Sequence, residues 1–256
     1  MPEQLAIETV DEICVVRMQR PPANALALDL LAEGAELMER LRDDPPAAVV
    51  LTGSGKFFSG GVDLKVAPKL TEPEQREMVA GINRLFIDWY GFPRPVVAAV
   101  NGHAVGAGLE LALSCDLVVV AREAKLRLPE ASLGTFVGGG VTYTLARRVG
   151  ELRARELLML CPFVRGEDAV ALGLANRVAD AVDVLPTALD LAAELARRAP
   201  QSIRRLKALL HESGTVPPSE MLRREGDALL ACMETRDWAE GIAAYHEKRE
   251  PRFTGE

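Results

Sequence analysis

Apolar and polar positions follow two different periods along the first 185 residues. Short apolar runs of strand length occupy residues 5–10, 13–18, 47–52, 96–100, 117–121 and 125–128. Apolar residues recur at helical spacing over residues 29–42 and 72–89, and a shorter apolar run predicts a buried helix over residues 107–114. Because strands alternate with helices, the pattern predicts an α/β layered fold.

The alternation fades after about residue 185. From residue 181 to residue 245 nearly every stretch favours a helix, including TALDLAAELARRA and SEMLRREGDALLACM. We therefore place a boundary near residues 190–200, where Pro200 marks it weakly. The prediction is a mixed core of residues 1–195 followed by a helical segment of residues 196–256.

Length and composition exclude several classes of protein. A chain of 256 residues with 48% hydrophobic residues can bury one large core, or one core with an appendage. The net charge of −7 disfavours nucleic acid and anionic membranes as partners. The start of the chain is acidic and lacks the apolar stretch of a secretory signal, and no apolar run reaches the ~18 residues of a membrane span.

The cysteines and histidines predict neither disulfides nor a metal site. The four cysteines are scattered without a CxxC pair, so we expect reduced thiols and a cytoplasmic location. The three histidines, His103, His211 and His246, are far apart and lack ligand spacing.

Two glycine-rich loops each follow a predicted strand. The second, within VNGHAVGAGLE, precedes the helix at Ala107, and N–H groups at a helix start have no partner and carry partial positive charge. If the two strands are neighbours, the backbone N–H groups of Val62 and Ala107 could converge on one carbonyl oxygen. The alternative is that both loops are ordinary tight turns. For either loop considered alone, this alternative is the better supported interpretation.

Nucleotide-binding loops fit poorly. A dinucleotide fingerprint needs a third glycine where Leu111 stands. A P-loop needs Ser or Thr where Phe57 stands, and a glycine where Val50 stands.

Two carboxylates complete the candidate chemistry. Glu110 lies inside an apolar run, where a carboxylate without a partner is costly. Glu130 follows 20 residues later, and a solvated or helix-capping role near Gly138 is its alternative. If the two carboxyls meet in an apolar pocket, their pKa values separate, so that one acts as an acid and one as a base.

The stretches VNGHAVGAGLELALSCDLVVVA, FFSGGVDLK and LPEASLGTFVGGGVTYTLARRVG together resemble the crotonase superfamily of enoyl-CoA hydratases and isomerases. The similarity runs from RPPANAL at residues 20–26 to EKREPRF at residues 247–253. It implies a spiral of repeated ββα units with a helical C-terminal part. It also implies a hydro-lyase that adds water reversibly, with syn stereochemistry, to a 2-enoyl-CoA, with coenzyme A as part of the substrate and no separate cofactor.

The resemblance also implies roles for individual residues. Val62 and Ala107 would hold the thioester oxygen, Glu110 would activate water, and Glu130 would deliver a proton to Cα. Gly138 would start a helix that points at the active site. Substrate and coenzyme A would contact Ala23, Asn24, Ala25, Gly61, Asp63, Leu64, Lys65, Gly106, Pro129, Leu133 and Gly138.

The resemblance also bears on the oligomeric state and leaves alternative functions open. The resemblance implies a homotrimer or a dimer of trimers, with the C-terminal helices between subunits. Ala107 departs from the commonest hydratase pattern but still supplies its N–H, whereas departures at Val137 and Val141 near the acyl pocket leave the acyl group open. A Δ3,Δ2-enoyl-CoA isomerase that uses Glu130 alone, another crotonase-type reaction and a non-catalytic acyl-CoA-binding subunit remain alternatives. The basic cluster at residues 204–207 predicts a solvated helix face, although the resemblance offers Lys207 as a contact to a neighbouring subunit's coenzyme A.

Overall fold

Two sheets and ten helices make up residues 3–256, the part of the chain that this computed structural model describes. The strands are β1 (Leu5–Val10), β2 (Ile13–Met18), β3 (Ala48–Gly53), β4 (Phe57–Ser59), β5 (Val96–Val100), β6 (His103–Val105), β7 (Leu117–Ala121), β8 (Lys125–Arg127), β9 (Val164–Arg165) and β10 (Arg177–Ala179). The helices are α1 (Leu28–Asp43), α2 (Glu72–Tyr90), α3 (Ala107–Ser114), α4 (Val141–Val149), α5 (Glu151–Leu160), α6 (Gly166–Ala169), α7 (Val184–Ala196), α8 (Pro200–Glu212), α9 (Pro218–Met233) and α10 (Arg236–Glu247).

The chain repeats one unit of a long strand, a short strand and a helix. The long strands β3, β5 and β7 lie parallel in a six-stranded sheet of order β1-β2-β3-β5-β7-β10. The short strands β4, β6 and β8 lie parallel in a second sheet of order β4-β6-β8-β9. Each unit thus adds one strand to each sheet, which confirms the predicted spiral of ββα units.

The large sheet is covered on both faces. All residues of β3 and β5 are buried, as expected for apolar strands with no solvated side. Helix α7 packs across β3, β5 and β7, and its buried residues Val184, Ala188 and Ala192 are small enough for a close approach.

Most predicted elements match the structure within one or two residues, and the strand 96–100 and the helix 107–114 match at both ends. The expectation of a helix start near Gly138 is wrong, because α4 begins at Val141. Gly139 and Gly140 have positive φ angles of 52° and 70°, which are incompatible with a right-handed helix. Glu130 therefore caps no part of α4.

The C-terminal helices α8–α10 follow the sheet-covering helix α7, and the division into a core of residues 1–195 and a helical segment of residues 196–256 stays a prediction. The first two residues of the predicted core range lie outside the described residues. Within residues 3–256 no helix combines the length and hydrophobicity needed to cross a bilayer.

Lys207 corrects the expectation of a solvated basic face. Its side chain is only 11% exposed, and its Nζ donates to Asp116 Oδ2 at 2.6 Å and to the Arg94 carbonyl at 2.8 Å. The ammonium is thus an internal tether between α8 and the loops around the sheet. In this arrangement it is already committed to protein acceptors and is not presented to a ligand.

Candidate active site

The three short parallel strands end at the same edge of their sheet. β4 is followed by Gly60, Gly61 and Val62, β6 by Gly106 and Ala107, and β8 by the turn that leads to Glu130. Because the carboxyl ends of parallel strands meet at one edge, the three segments singled out in the sequence come together.

The loop after β4 is fixed by pairing with residue 26. The Leu26 N–H donates to the Gly61 carbonyl at 2.8 Å, and the Asp63 N–H donates to the Leu26 carbonyl at 3.4 Å. This pattern skips the N–H of Val62, which has no acceptor among residues 3–256. An unpaired backbone donor of this kind is available for a ligand.

The loop after β6 leaves a second free donor. Ala107 is the first residue of α3, and its N–H also has no acceptor within the described part of the chain. Gly106, with φ of 54°, turns the chain into the helix, and its N–H donates to the Arg127 carbonyl at 2.8 Å.

The two loops touch each other through their backbones. A Cβ on Gly61 would lie 2.5 Å from the Val105 carbonyl oxygen and 3.1 Å from the Ala107 nitrogen. A Cβ on Gly108 would lie 2.3 Å from the Ser59 carbonyl oxygen. Glycine is therefore required at both positions, and the contact places the Ala107 nitrogen beside Gly61, the residue before Val62.

Glu110 lies one turn into α3 and is 3% exposed. Its Oε1 accepts a hydrogen bond of 2.9 Å from the Gly138 N–H. Burial raises the pKa of this carboxyl to about 7, against the opposing effect of the Gly138 bond and with a further increase from the charge of Glu130.

Glu130 opens a short 3-10 helix, Glu130–Leu133, directly against the second loop. Its Oε1 would lie 2.7 Å from a Cβ on Gly106, and its Oε2 is buried without a hydrogen-bond partner among residues 3–256. Burial raises the pKa of Glu130, while its own backbone N–H and the charge of Arg127 lower it. The two glutamates therefore lie close enough for the charge of Glu130 to raise the pKa of Glu110, and burial raises the pKa of both carboxyls.

The side chain of Asn24 is buried and forms hydrogen bonds with the neighbouring loops. Its Nδ2 donates to three carbonyls, those of Ser54, Phe57 and Phe58, at 2.8–3.2 Å, and its Oδ1 accepts from the Arg20 N–H. The amide is fully used by the protein, so that any contact of this segment with a ligand falls to the neighbouring residues Ala23 and Ala25.

The remaining predicted contacts line the approach to the pocket. Leu64 and Lys65 are exposed, and the Lys65 ammonium has no ion-pair partner in the described part of the chain. Asp63 pairs with Arg20 at 2.9 Å, and this hydrogen bond lowers the pKa of Asp63. Pro129 is half-buried, Leu133 is 54% exposed, and the N–H of Gly138 is taken up by Glu110.

A cavity of about 280 Å³ adjoins the first loop. Its walls combine apolar side chains with one cluster of charges, in which Arg20 lies 2.9 Å from Asp63 and 3.6 Å from Asp29. The apolar wall includes Leu26, Val66, Ala67, Leu70 and Met78.

The sequence analysis missed the far wall of the pocket. Ile82 and Phe86 continue the face of α2 that begins at Met78, and both are buried. A Cβ on Gly138 would lie 3.9 Å from Ile82 Cγ2, and a Cβ on Gly139 would lie 2.6 Å from the Phe86 ring. The spacing of four residues on a predicted helix was the available signal, but it does not reveal which partner the face covers.

Comparison with known proteins agrees with this geometry. Residues 8–256 match the family described as enoyl-CoA hydratase/isomerase. The chain is 42% identical over 239 residues to the "Putative enoyl-CoA hydratase" of Thermus thermophilus, covering 92% of each chain. It is 34% identical over 254 residues to the crotonyl-CoA hydratase of Syntrophomonas wolfei, covering 98% of each.

The fold also matches that of solved structures. The crystal structure of an enoyl-CoA hydratase from Bacillus anthracis superposes with a TM-score of 0.95 at 31% identity, covering 99% of this chain and 100% of that one. The chain belongs to the enoyl-CoA hydratase/isomerase family, the crotonase superfamily.

Proposed function

We propose that the protein is an enoyl-CoA hydratase, a hydro-lyase that adds water reversibly and syn across the double bond of a 2-enoyl-CoA. The observation that carries the proposal is the pair of glutamates, Glu110 buried and Glu130 half-buried, beside two backbone N–H groups that have no acceptor among residues 3–256. Preorganised N–H donors of this kind stabilise oxygen that becomes negative in the transition state.

In the hydration direction, Glu110 takes a proton from water as the water oxygen bonds to Cβ. The π electrons of the double bond move toward the thioester, whose oxygen accepts hydrogen bonds from Val62 and Ala107. Glu130 gives its proton to Cα, which completes the 3-hydroxyacyl-CoA. The step consumes one water, and the proton inventory of the pair is unchanged because Glu110 gains what Glu130 loses.

The reverse reaction begins from the other protonation state. A protonated Glu110 expels hydroxide as water, and an ionised Glu130 removes the Cα proton. Burial raises the pKa of both carboxyls, which favours the protonated form of each. In the hydration direction, the pair must begin with the shared proton on Glu130.

The substrate that fits the cavity has an uncharged, apolar acyl tail. The apolar wall from Leu26 to Met78 suits a hydrocarbon chain, whereas the Arg20 charge is already matched by Asp29 and Asp63. A terminal carboxylate would meet a net charge of −1 there. We expect turnover of crotonyl-CoA and neutral homologues to exceed that of an acyl-CoA with a terminal carboxylate.

Coenzyme A itself supplies the remaining contacts. The exposed Lys65 is suited to its phosphates, and the chain at Ala23 and Ala25 is suited to its adenine. No separate cofactor is part of this proposal, and among residues 3–256 no three His, Cys, Asp or Glu side chains are grouped to hold a metal.

Assembly and location are part of the proposal. Leu222, Leu229 and Leu230 on α9 are 60–68% exposed, and Leu152, Met159 and Leu160 on α5 are 66–85% exposed, which supports a homotrimer or a dimer of trimers. The four cysteines are free thiols, which supports a cytoplasmic location. We propose neither nucleic acid nor membrane as a partner.

The test follows the absorbance of the conjugated thioester of crotonyl-CoA. We expect the absorbance to fall with purified protein, and Glu110→Gln and Glu130→Gln each to lose about 10²–10⁴-fold in rate. No conversion of any 2-enoyl-CoA, with tight binding of the unchanged thioester, would instead favour a binding subunit.

An isomerase is the second candidate, because the unpartnered Oε2 of Glu130 could shuttle a proton between two carbons without Glu110. If the Glu110→Gln variant kept full activity with a 3-enoyl-CoA, the isomerase function would be favoured over the hydratase function.

A further inference from the structure

We propose that Arg127 is a positioning residue that locks Glu130 beside the Ala107 loop and favours the ionised form of its carboxyl; this inference rests on the proposed function. Arg127 is the last residue of β8, three positions before Glu130. It lies outside the residues assigned to the chemistry above.

Arg127 joins three segments that meet at the site. Its carbonyl accepts from the Gly106 N–H at 2.8 Å, which fixes the residue before Ala107. Its Nη2 donates to Ser132 Oγ at 3.3 Å, within the 3-10 helix that Glu130 opens. Its Nε donates to the Cys161 carbonyl at 2.8 Å, at the end of α5.

The guanidinium plane is held from a further side by an aromatic ring. Its central carbon lies 4.7 Å from the centroid of the Phe163 ring. The cation–π contact and hydrogen bonds to two acceptors, the Cys161 carbonyl and Ser132 Oγ, restrict the side chain to one orientation. A flexible solvated arginine would make none of these contacts together.

The charge of Arg127 is not neutralised locally. Among residues 3–256 no carboxylate lies within ion-pair distance of it. Arg127 lowers the pKa of Glu130, in the direction opposite to burial. Its positive charge therefore acts on a carboxyl whose Oε2 lacks any hydrogen-bond partner in the described chain.

Few other charges face Glu130. Glu110 approaches from α3 and shares the pocket. On α5, which packs against the 3-10 helix, Arg153 pairs with Glu156 and Arg155 pairs with Glu151, all on the exposed surface. Lys125, two residues before Arg127 on β8, is exposed and lies 6.0 Å from the Phe163 ring.

The consequence concerns the direction in which Glu130 acts as a base. Without the Arg127 charge, Glu130 binds its proton more tightly, and a lower fraction is ionised at a given pH. The acidic limb of the pH profile for dehydration of 3-hydroxybutyryl-CoA then moves to higher pH. Well below that limb, the rate falls by about tenfold for each pH unit of displacement.

The experiment compares Arg127→Gln and Arg127→Lys with the matched control Lys125→Gln, which removes a cation from the same strand. We expect Arg127→Gln to move the acidic limb upward, Arg127→Lys to restore its position with a lower kcat, and Lys125→Gln to leave it in place. A uniform loss at every pH, or an equal shift in Lys125→Gln, would overturn the proposal.

A second measurement needs no activity. The Glu130 carboxyl is titrated by carbon-13 NMR, assigned through Glu130→Gln, in the unmodified protein and in both Arg127 variants. An upward displacement of its midpoint in Arg127→Gln supports the proposal even if no 2-enoyl-CoA is hydrated. An unchanged midpoint in a folded Arg127→Gln protein contradicts it, whatever the reaction is.

Discussion

The loops around the catalytic pocket and the C-terminal helices use glycine and charge in opposite ways. At the pocket, Gly61 and Gly108 are in backbone contacts that leave no room for a Cβ. In α9, Gly226 has no atom within 4 Å of the position of a Cβ. Backbone packing thus fixes the pocket to fractions of an ångström, while the helix surface is open to change.

The pocket loops and the C-terminal helices also differ in how they use charged residues. The pocket buries carboxyls whose pKa values are raised, and it holds Glu110 by a backbone N–H. The helices carry exposed pairs such as Arg223 with Glu220 and Asp227. Lys207 is the exception, since it belongs to α8 but is buried against Asp116. The comparison indicates that carboxyls with raised pKa values belong to the ββα core, whereas the C-terminal helices mostly carry exposed ion pairs.

The largest effect is expected from Gly108→Ala. The new methyl group meets the Ser59 carbonyl oxygen and separates the two loops, so that one N–H donor is misplaced. Loss of one such donor typically costs about 10²–10³-fold in kcat. Steady-state kinetics with crotonyl-CoA measure it on protein shown to be folded by circular dichroism. Activity within twofold of the unmodified protein would mean that the loop contact does not set the geometry.

Lys207→Met should release the C-terminal helices from the core. The variant keeps most of the length of the side chain but leaves Asp116 without its cation, and breaking a buried pair costs about 3 kcal/mol. Urea unfolding measures this loss. The control is Arg155→Met in the exposed pair with Glu151, for which we expect less than about 0.5 kcal/mol. Equal losses in both variants would contradict the assignment of Lys207 as a tether.

Glu110→Gln should stabilise the protein at alkaline pH while it abolishes activity. The pKa of Glu110 is raised to about 7 in the fold from a reference value of 4.5, so the folded state binds the proton more tightly. Wild-type stability therefore falls as pH rises from 4.5 through 7, and the variant escapes this loss. The gain is on the order of 1–3 kcal/mol at pH 8 and vanishes near pH 4.5.

Urea unfolding of both proteins across this pH range is the measurement. If the stability difference between the two proteins did not change with pH, the pKa of Glu110 would not be raised in the fold. The proposal that Glu110 and Glu130 exchange one proton during the reaction would then lose its support.

The smallest expected effect is an increase in the free energy of unfolding. Gly226→Ala in the interior of α9 should raise the free energy of unfolding by about 0.5–1 kcal/mol, because alanine restricts the unfolded chain and no neighbour obstructs its methyl group. Thermal unfolding detects the change, and catalytic rates should remain unchanged. A destabilised variant would imply that this surface is already covered by another subunit.

Long, strongly patterned elements were predictable from the sequence, as was the three-residue strand β8, whereas the strands β4 and β6 were not. The apolar run of β5 and the helix α3 carry enough residues to define their ends. The strands β4 and β6 have three residues each, and their residues belong to glycine-rich loops, so their pairing depends on distant partners. Pattern alone could not show that these two short strands align the site.

The site divides in the same manner. Val62 and Ala107 were predicted because glycine-rich loops follow two strands, and Glu110 and Glu130 were predicted because a pair of carboxylates suits acid–base chemistry; their roles stay predictions. Arg127 and Phe86 were not predicted, because an arginine at a strand end and a phenylalanine in a helix have many ordinary roles. Only the packing shows that Arg127 reaches Ser132 and Cys161, and that Phe86 lies on Gly139.

The most direct test of the account is the carbonyl stretch of a bound thioester. Crotonyl-CoA labelled with carbon-13 at the thioester carbonyl is bound to the unreactive double variant Glu110→Gln/Glu130→Gln and observed by infrared difference spectroscopy. If the Val62 and Ala107 N–H groups hold the oxygen, the stretch moves to lower frequency than in water, and Gly108→Ala in the same background weakens the shift. A carbonyl frequency equal to that of the free thioester in water would contradict the account.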